Sequence, residues 1–522
     1  MSRFLASLTL ALVFSSVAGA ASVPGVVIDH QPAATQQYIG SPSIVKLGNG
    51  DYLATHDLFG PKSGSRTSAE TKVFVSHDRG ATWKQISSFR DQFWSNLFVL
   101  KNRVYLMGTT AEYGRIVIRT SDDNGQNWSD AHYLTEDSGY LTAPVPMAIQ
   151  NGVLYRAFEY HPPAPRVREA LLMWASVNSD LTKASSWSFS NRVPVDKDAQ
   201  GAISVEEGNA VVAPDGSIVD ILRVDQRERV AILRLSGKEL KFDRFIDFPG
   251  GSKKFTIRFD AKTKLYWSLV NPALRGESLS VSLPGHVRNT LAVISSPDLI
   301  HWTPRAILIQ HPDPLHYGFQ YVDWQFDGDD LIAAVRTAYD DGEGGAHSYH
   351  DANYLTFSRV SNFRELGTVA LAPLPIAETI SPYQIDMWTL ATQAEAAKRS
   401  DGAAGQSIGR YGTHGIGLTT RVKTGDAEQH RDWCDIYVVI AGDATLVSGG
   451  KLIDARTVAD GEMRGSGIAG GHAEHITTGS IVHIDAQVPH LLVLEPGQSF
   501  TYLAIKAPAP THSSGQPGGA AK

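Results

Sequence analysis

Two short polar clusters are dense in groups that could transfer protons. His347, His350 and Asp351 lie within five residues, which is more than a surface loop needs. His56 and Asp57 form a second cluster at the end of a predicted strand. Histidines and carboxylates are the usual general acids and bases of enzymes, so these residues are catalytic candidates. Polar pairs at strand ends also cap turns, and that reading stays open.

The elements that must position these residues are short β-strands. Between about residues 26 and 372, runs such as Ser43–Val45, Asp51–Ala54 and Val73–Val75 alternate with Gly, Asn and Asp turns. The chain has 47 Gly and 26 Pro in 522 residues, a content of turn formers that suits many strands. No convincing amphipathic helix occurs in this region, so we predict an all-β fold.

Composition excludes several classes of protein. With 42% hydrophobic and 19% charged residues, the chain is globular rather than disordered or a coiled coil. Its net charge of −7 argues against nucleic acid as a partner. The single cysteine, Cys434, rules out an internal disulfide and a cysteine-rich metal cluster.

The N-terminal residues predict export. Arg3 precedes the apolar run Phe4–Phe14 and the small residues Ala18–Ala20, which is the order found in a secretory signal peptide. The run is too short to span a bilayer, and no later stretch reaches the necessary length. We therefore predict a signal peptide over residues 1–20, no membrane span, and a secreted or periplasmic bacterial protein.

An internal repeat is the strongest indication of architecture. Ser76–Trp83, with the sequence Ser-His-Asp-Arg-Gly-Ala-Thr-Trp, recurs in the same register as Ser121–Trp128. A degenerate copy is Ser295–Trp302, and a looser echo begins at Ser179. The Asp is expected to cap its own hairpin turn, the Gly to take a positive φ, and the Trp to be buried between sheets. Each copy then marks one four-stranded sheet.

This repeat resembles the Asp box of the sialidase (neuraminidase) superfamily of β-propellers. The resemblance implies a propeller over residues 24–372, with six blades favoured over seven. It also implies a catalytic Tyr made basic by a Glu, a carboxylic acid, and arginines that hold an anionic sugar. The catalytic candidates are Tyr321, Glu207, Asp57, His56 and His350, and the substrate-binding candidates are Arg223, Arg288, Arg336 and Asp351.

One arginine of that superfamily is missing. Gly40, in Tyr38–Val45, occupies its place, so sialic acid itself is not the favoured substrate. A lost charge-assisted pair would cost about 1.5–3 kcal/mol. Related propellers without this arginine cleave other acidic or deoxy sugars, either as hydrolases or as lyases that use His and Tyr next to a uronate.

The C-terminal part resembles the cupin superfamily of jelly-roll barrels. The resemblance rests on the run His430–Gly442 and the pair Pro489-His490, and implies a cupin domain over residues 391–508. We predict a linker over 373–390, a short helix over Ala391–Lys398 directly after it, and a disordered tail over 509–522. The metal-ligand positions are His430, Asp432, Asp435 and His490, a set suited to Zn, Mn or Fe. A metal-free barrel that is inert or binds sugar is the alternative.

The sequence as a whole predicts a secreted enzyme that cleaves a glycosidic bond of an acidic polysaccharide or oligosaccharide. A hydrolase is favoured over a lyase acting on a uronate-containing glycan. The other hypotheses are a non-catalytic glycan-binding propeller with a metal-binding cupin, and a protein whose main activity lies in the cupin. No cofactor is required in the propeller, and the oligomeric state is left open.

Overall fold

The protein is seen in a computed structural model that describes residues 22–162, 167–274, 283–372, 380, 382–410 and 414–509. The predicted signal peptide and, apart from Ala509, the predicted tail lie outside these residues. The described residues up to 372 belong to one compact unit and those from 380 onward to a second.

The first unit is a propeller of six antiparallel sheets that follow one another along the chain, as predicted. Blades 1 to 3 consist of Tyr38–Ile39, Ser43–Lys46, Tyr52–Phe59, Glu70–Ser76 and Lys84–Arg90; Phe93–Leu100, Arg103–Thr109, Ile116–Ser121 and His132–Tyr133; and Tyr140–Leu141, Ala148–Gln150, Val153–Tyr160, Glu169–Ser176, Ser188–Phe189 and Val193–Pro194. Blades 4 to 6 consist of Val205–Val212, Ile218–Val224, Arg229–Ser236 and Glu239–Asp247; Thr256–Asp260, Leu265–Val270, Thr290–Ser296 and Thr303–Gln310; and Gly318–Asp327, Asp330–Ala338, Tyr354–Val360 and Val26–His30. The ribbon of Lys197–Asp198 and Gly201–Ala202 lies between blades 3 and 4. The described residues of this unit also form four short 3-10 helices, Ala33–Thr35, Ala184–Ser186, Pro284–His286 and Phe363–Glu365.

The ring is closed by both ends of this unit. The N-terminal strand Val26–His30 pairs with Tyr354–Val360 and so completes the last blade. Asp323, which is fully buried on the innermost strand of blade 6, accepts hydrogen bonds from the Ser43 hydroxyl at 2.8 Å and the Ile44 N–H at 3.0 Å of blade 1. Arg258 of blade 5 lies 3.1 Å from the same carboxylate. One buried side chain therefore joins three blades.

Apolar clusters lie between neighbouring blades. Between blades 1 and 2, Leu53 and Val73 pack against Leu97 and Leu106, and all four are almost completely buried. Burying a side chain of this size contributes roughly 1.5–3 kcal/mol relative to leaving it exposed. Successive side chains of a strand point to opposite faces of the blade, so runs of consecutive buried residues, as in Ile218–Val224, pack against both neighbouring blades.

The repeated turns share one set of hydrogen bonds. Asp78 accepts the N–H of Thr82 at 2.8 Å, and Asp123 accepts the N–H of Asn127 at the same distance. In both turns the indole N–H of the Trp donates to the carbonyl of the Gly three residues earlier. The burial prediction for Trp83 was too strong: the ring is half-buried against Phe357, because the hairpin holds it at the sheet margin. Trp128 is half-buried in the same way.

The second unit contains two main β-sheets and one α-helix. One sheet has five strands, Ala403–Arg410, Gly415–Arg421, Phe500–Pro508, Trp433–Ala441 and Ile481–Ile484. The other has six, Arg456–Ala459, Glu462–Gly465, Ala427–His430, His490–Val493, Asp443–Ser448 and His472–Thr477, and a ribbon pairs Lys451–Ile453 with Gly467–Ala469. Tyr437 and Phe500 of the first sheet share a core with Leu446 and Leu492 of the second. The cupin identity of this two-sheet unit stays a prediction.

The helix spans Pro382–Ala396 and therefore begins nine residues before the predicted start at Ala391. The predicted linker is helical in its last nine residues. Pro382 stands at the helix start, where its missing N–H leaves no bond unmade. The sequence did not reveal this earlier start, because the apolar residues of the first turns form no buried face. Tyr383, Met387 and Leu390 are all exposed. No helix among the described residues is long and apolar enough to cross a bilayer.

Replacing the half-buried Trp83 tests how much the repeated turn contributes to stability. We expect Trp83→Ala to lower the free energy of unfolding by roughly 2 kcal/mol, less than the loss for a fully buried Trp, because part of the ring already contacts water. Urea unfolding measures this. Trp433→Ala in the second unit, whose Trp is 41% exposed, is the matched control. An equal loss in both variants would contradict the structural role of the turn.

Candidate active site

A cavity of about 780 Å³ opens on the propeller and gathers polar residues from several blades. Blade 4 contributes Glu206, Glu207 and Arg223, and the last blade contributes Tyr321 and Arg336. The other residues on its wall include Tyr38, Phe59, Trp94, Glu112, Tyr113, Arg168, His350 and Asp351. Residues up to 313 positions apart in sequence therefore meet in one place.

Glu207 and Tyr321 are in contact at the centre of this site. Both lie on the innermost strands of their blades, at register shifts where the backbone takes a positive φ of 60° and 54°. Positive φ is rare for such side chains and occurs where the surroundings demand it. A hydrogen bond from Tyr321 is among the interactions that stabilise the charge of Glu207. The sequence predicted both residues, and the fold brings them together.

Burial sets the protonation of this pair. It raises the pKa of the Glu207 carboxyl, an effect that the nearby Arg223 partly offsets. It also raises the pKa of the Tyr321 phenol, and the Glu207 charge acts in the same direction. Both shifts disfavour the charged forms of the two groups. The contact places the phenol hydroxyl against the Glu207 carboxyl group, which is the geometry that a nucleophile and its general base require.

Four arginines surround the pair, and they fall into two classes. Arg223 lies 2.9 Å from Glu207 and also pairs with Glu206, and Arg168 lies 2.5 Å from Glu206. These two arginines hold the pKa of Glu206 below its usual value although burial opposes ionisation. Their charges are therefore already balanced by carboxylates.

Arg288 and Arg336 form the second class, because neither has an ion pair with a carboxylate in the described part of the chain. The Arg288 guanidinium lies 5.5 Å from the centre of the Tyr321 ring, and that of Arg336 lies 4.8 Å from it. Arg336 is 3% exposed, and its Nε has no hydrogen-bond partner. Burial of the guanidinium lowers its pKa to about 10. A buried cation without a counter-charge next to a cavity is suited to an anionic ligand.

His350 and Asp351 line the cavity beside Arg336. Asp351 accepts hydrogen bonds at 2.8 Å from Nδ1 of His350 and from Nδ1 of His347. Burial and the charge of Arg336 lower the pKa of His350 to about 3, so its ring is neutral. With Nδ1–H donated to Asp351, Nε2 carries the lone pair and can act as a base.

His56 and Asp57, which the sequence predicted as catalytic, are buried and are not among the residues that line this cavity. His56 is completely buried, between Asp29 at 2.8 Å and the backbone carbonyl of Asp57. The Asp57 carboxylate accepts the Thr71 hydroxyl at 2.6 Å and the N–H of Trp94 at 2.8 Å. Both residues lie within the strand Tyr52–Phe59 and not at its end, and the Asp57 carboxyl group bonds the backbone of the neighbouring blade.

Several cavity residues escaped the sequence interpretation. Trp94, Tyr38 and Phe59 give the cavity aromatic walls, but an isolated aromatic residue in a strand looks like core. Glu206 was visible only as the neighbour of Glu207. Arg168 gave no signal, because its partner Glu206 is 38 residues away in sequence.

The second unit has its own polar cluster. His430 Nε2 lies 3.0 Å from an oxygen of Asp435, and His490 Nε2 lies 3.3 Å from the same oxygen. Glu428 joins them, since its carboxylate and the two His rings lie within 4.8 Å of one another. Asp432 does not: it is exposed and pairs with Arg431 at 2.9 Å, because its side chain points out of the turn between two strands.

The donor set of this cluster fits a divalent metal. His490 Nδ1 bonds the carbonyl of Val488 at 3.1 Å, which leaves Nε2 as a buried lone pair without a hydrogen-bond partner. His430 is oriented in the same way by Glu462. Such outer hydrogen bonds are typical of metal-binding histidines. Lys506, whose Nζ lies 2.9 Å from His430 Nε2, supplies positive charge at this point, and its side chain is 43% exposed.

Comparison with known proteins gives structural likenesses only. No protein-family profile and no curated protein matches the sequence. An α-L-arabinanase of Penicillium chrysogenum is 13% identical with a TM-score of 0.45, over 66% of this chain and 99% of its own. A sialidase of Trypanosoma rangeli is 13% identical with a TM-score of 0.44, over 90% and 91%. An ulvan lyase of polysaccharide lyase family PL25 is 12% identical with a TM-score of 0.38, over 62% and 79%. Identities and TM-scores this low carry no information about substrate or reaction.

The buried Asp57 predicts a particular dependence of stability on pH. Burial raises its pKa to about 7, above the value of about 4 in an unfolded chain. Its contribution to the free energy of unfolding is therefore fully present below pH about 4 and is lost as the pH rises to about 7. Relative to Asp57→Asn, the wild type should lose about 1.4 kcal/mol per pH unit in this window. Urea unfolding of both proteins across the window measures this, and a difference that does not vary with pH would contradict it.

Proposed function

We propose that the propeller cleaves a glycosidic bond of an acidic polysaccharide or oligosaccharide, and that it does so as a hydrolase. The observation that carries this proposal is the buried contact between Glu207 and Tyr321 in an open cavity, flanked by Arg288 and Arg336 without carboxylate partners. The pair supplies an activated nucleophile and the arginines supply a place for a carboxylate or sulfate. Export through the predicted signal peptide would bring the enzyme to such glycans.

In the proposed reaction, the Tyr321 oxygen attacks the anomeric carbon while Glu207 accepts the phenol proton. The leaving oxygen takes a proton from Glu112, a carboxyl group on the cavity wall whose one ion pair among the described residues is with the 85% exposed Arg66. Water then attacks the anomeric carbon while Glu112 takes a proton from it, and the bond to the Tyr321 oxygen breaks as Glu207 returns its proton to the phenol. Arg336, on the cavity wall, holds the anionic group of the sugar throughout, and Arg288, which is not part of that wall, adds positive charge 5.5 Å from the centre of the Tyr321 ring.

A lyase is the second candidate, and the neutral His350 favours it. A lyase needs a base for the proton next to a uronate carboxylate and a cation that neutralises this carboxylate. His350 Nε2, oriented by Asp351, could be the base, and Arg336 could neutralise the charge. Tyr321 would then protonate the leaving oxygen.

Two substitutions test these roles on a panel of oligosaccharides carrying uronate, sulfate or deoxy sugars. We expect Tyr321→Phe to lower kcat by about 100-fold or more on the substrate that the wild type cleaves, with little change in Tm, because only a hydroxyl is lost. Tyr339→Phe, also buried in blade 6 but outside the cavity wall, is the matched control and should keep full activity.

The products and His350→Ala separate the two reactions. New reducing ends without the ultraviolet absorbance of an unsaturated uronate indicate hydrolysis, and a small effect of His350→Ala agrees with it. Appearance of that absorbance together with a large loss in His350→Ala indicates a lyase. Binding of a panel glycan without any product would leave a glycan-binding propeller and contradict both reactions.

We also propose that the second unit binds one divalent ion, Zn, Mn or Fe, through Glu428, His430, Asp435 and His490. The support is the set of converging lone pairs and the unpartnered His490 Nε2. His430 and His490 belong to one sheet and Asp435 to the other, so a bound ion would tie the sheets together. Lys506 would have to leave, which its exposure allows.

Metal content after supplementation tests this second proposal. We expect about one ion per chain in the wild type and in Asp432→Asn, the matched control, and close to none in His490→Ala. Bound metal should also raise the Tm of the wild type, since it binds only the folded chain. A wild type that stays metal-free would leave Lys506 as the resident cation.

A further inference from the structure

Three innermost strands of the propeller break register at equivalent points. In blades 2, 4 and 6 one residue at the shift takes a positive φ: Trp94 at 47°, Glu207 at 60° and Tyr321 at 54°. All three side chains line the cavity. In a regular strand, successive side chains point to opposite faces of the blade. The extra residue at each register shift changes this alternation, so the bulge turns these three side chains toward the cavity.

Each bulge is held by a buried ionisable side chain from the preceding blade. In blade 1, Asp57 accepts the N–H of Trp94 at 2.8 Å and also that of Ser95. In blade 3, Glu159 holds the next bulge in the same way, since it accepts the N–H of Gly208 at 2.8 Å and also that of Glu207.

The third bulge is held with the opposite polarity. Lys254, two residues before the innermost strand of blade 5, donates an ammonium N–H to the carbonyl of Val322 at 2.7 Å, and its Nζ lies 3.5 Å from the carbonyl oxygen of Tyr321. Its remaining hydrogen bond goes to the hydroxyl of Thr256. Lys254 thus bonds the backbone of the bulge directly.

Burial of the ionisable groups that hold the bulges around Glu207 and Tyr321 is energetically unfavourable. Glu159 is 0% and Lys254 is 2% exposed, neither lines the cavity, and neither has an ion pair in the described part of the chain. Desolvating an ionisable group is unfavourable unless its hydrogen bonds compensate. Both groups make hydrogen bonds to a bulge, and an apolar side chain would fill the same space at no such cost. Their chemistry is therefore matched to the backbone groups that each bulge leaves without a strand partner.

We propose that Glu159 and Lys254 are positioning residues that hold the backbone of Glu207 and Tyr321 in the conformation that brings their side chains together. This inference rests on the proposed function of that pair. A tyrosine or glutamate at positive φ relaxes toward extended backbone unless its surroundings prevent it. Without its lock, each side chain would turn from its partner and the proton transfer between them would lose its geometry.

The experiment compares lock-breaking substitutions in three equivalent places. Glu159→Leu and Lys254→Met break the locks of the proposed catalytic pair, and Asp57→Leu, the matched control, breaks that of Trp94. We expect the first two to lower kcat by about 10- to 100-fold at nearly constant KM, because small displacements of reacting groups cost this much. Asp57→Leu should act mainly on KM, since Trp94 belongs to the cavity wall. Activity is measured on the panel oligosaccharide that the wild type cleaves.

Conservative variants separate positioning from simple stability. Glu159→Gln keeps an acceptor for the bulge and Lys254→Gln keeps a donor, so each should recover most of the kcat lost in its apolar counterpart. These variants also preserve the test if an apolar variant fails to fold. Equal losses of kcat in all three apolar variants, in proportion to their losses in Tm, would overturn the proposal, as would Gln variants no better than the apolar ones.

Crystal structures of the variants give a readout that needs no substrate. In Lys254→Met, Tyr321 should leave positive φ and its contact with Glu207, while Trp94 stays in place. An unchanged Tyr321 bulge would overturn the proposal whatever the activity shows. A relaxed bulge in an enzyme whose activity does not depend on Tyr321 would instead show that the proposed function is wrong and the lock is real.

Discussion

Closure of the six-bladed ring is the constraint on which the candidate site depends. The strand Val26–His30 completes the blade that carries Tyr321, and Asp323 joins that blade to its neighbours on both sides. Glu207 and Tyr321 lie on different blades, so no local structure holds them together. Their contact exists only because the ring returns to its starting point.

Within this frame, the site is built from buried charge. Glu206 and Glu207 are balanced by Arg168 and Arg223, whereas Arg288 and Arg336 are balanced by no carboxylate among the described residues. A protein rarely keeps a guanidinium 3% exposed without a partner. In the proposed function, an anionic group of the ligand corrects this imbalance beside the Tyr321 ring.

The second unit also holds ionisable groups close together in its core. His430, Asp435 and His490 converge in the core between two sheets, where the buried Asp435 carboxylate lies 3.0 Å and 3.3 Å from the two ring nitrogens. Lys506 lies 3.3 Å from the other oxygen of this carboxylate and adds positive charge there, and a divalent ion bound at this point would have to replace it. Glu428 lies beside the two histidines, whereas Asp432, which the sequence interpretation had named, is exposed. Glu428 is two residues before His430 and so on the same face of their strand, while Asp432 follows the end of that strand.

The amino-acid sequence by itself determined the propeller and most of its polar candidates. The repeated Ser-x-Asp-x-Gly turn is a local signal, because its hydrogen bonds join residues at most four apart. Tyr321, Glu207, Arg223 and Arg336 were likewise predictable, and the structure brings all four into one cavity. Only the tertiary structure decided which polar residues face the cavity and which hold the backbone. Asp57 and Glu159 lie on equivalent strands, and the carboxyl group of each accepts a hydrogen bond from the backbone of the next blade. That assignment depends on bonds between residues up to 68 apart, for which the chain carries no local pattern.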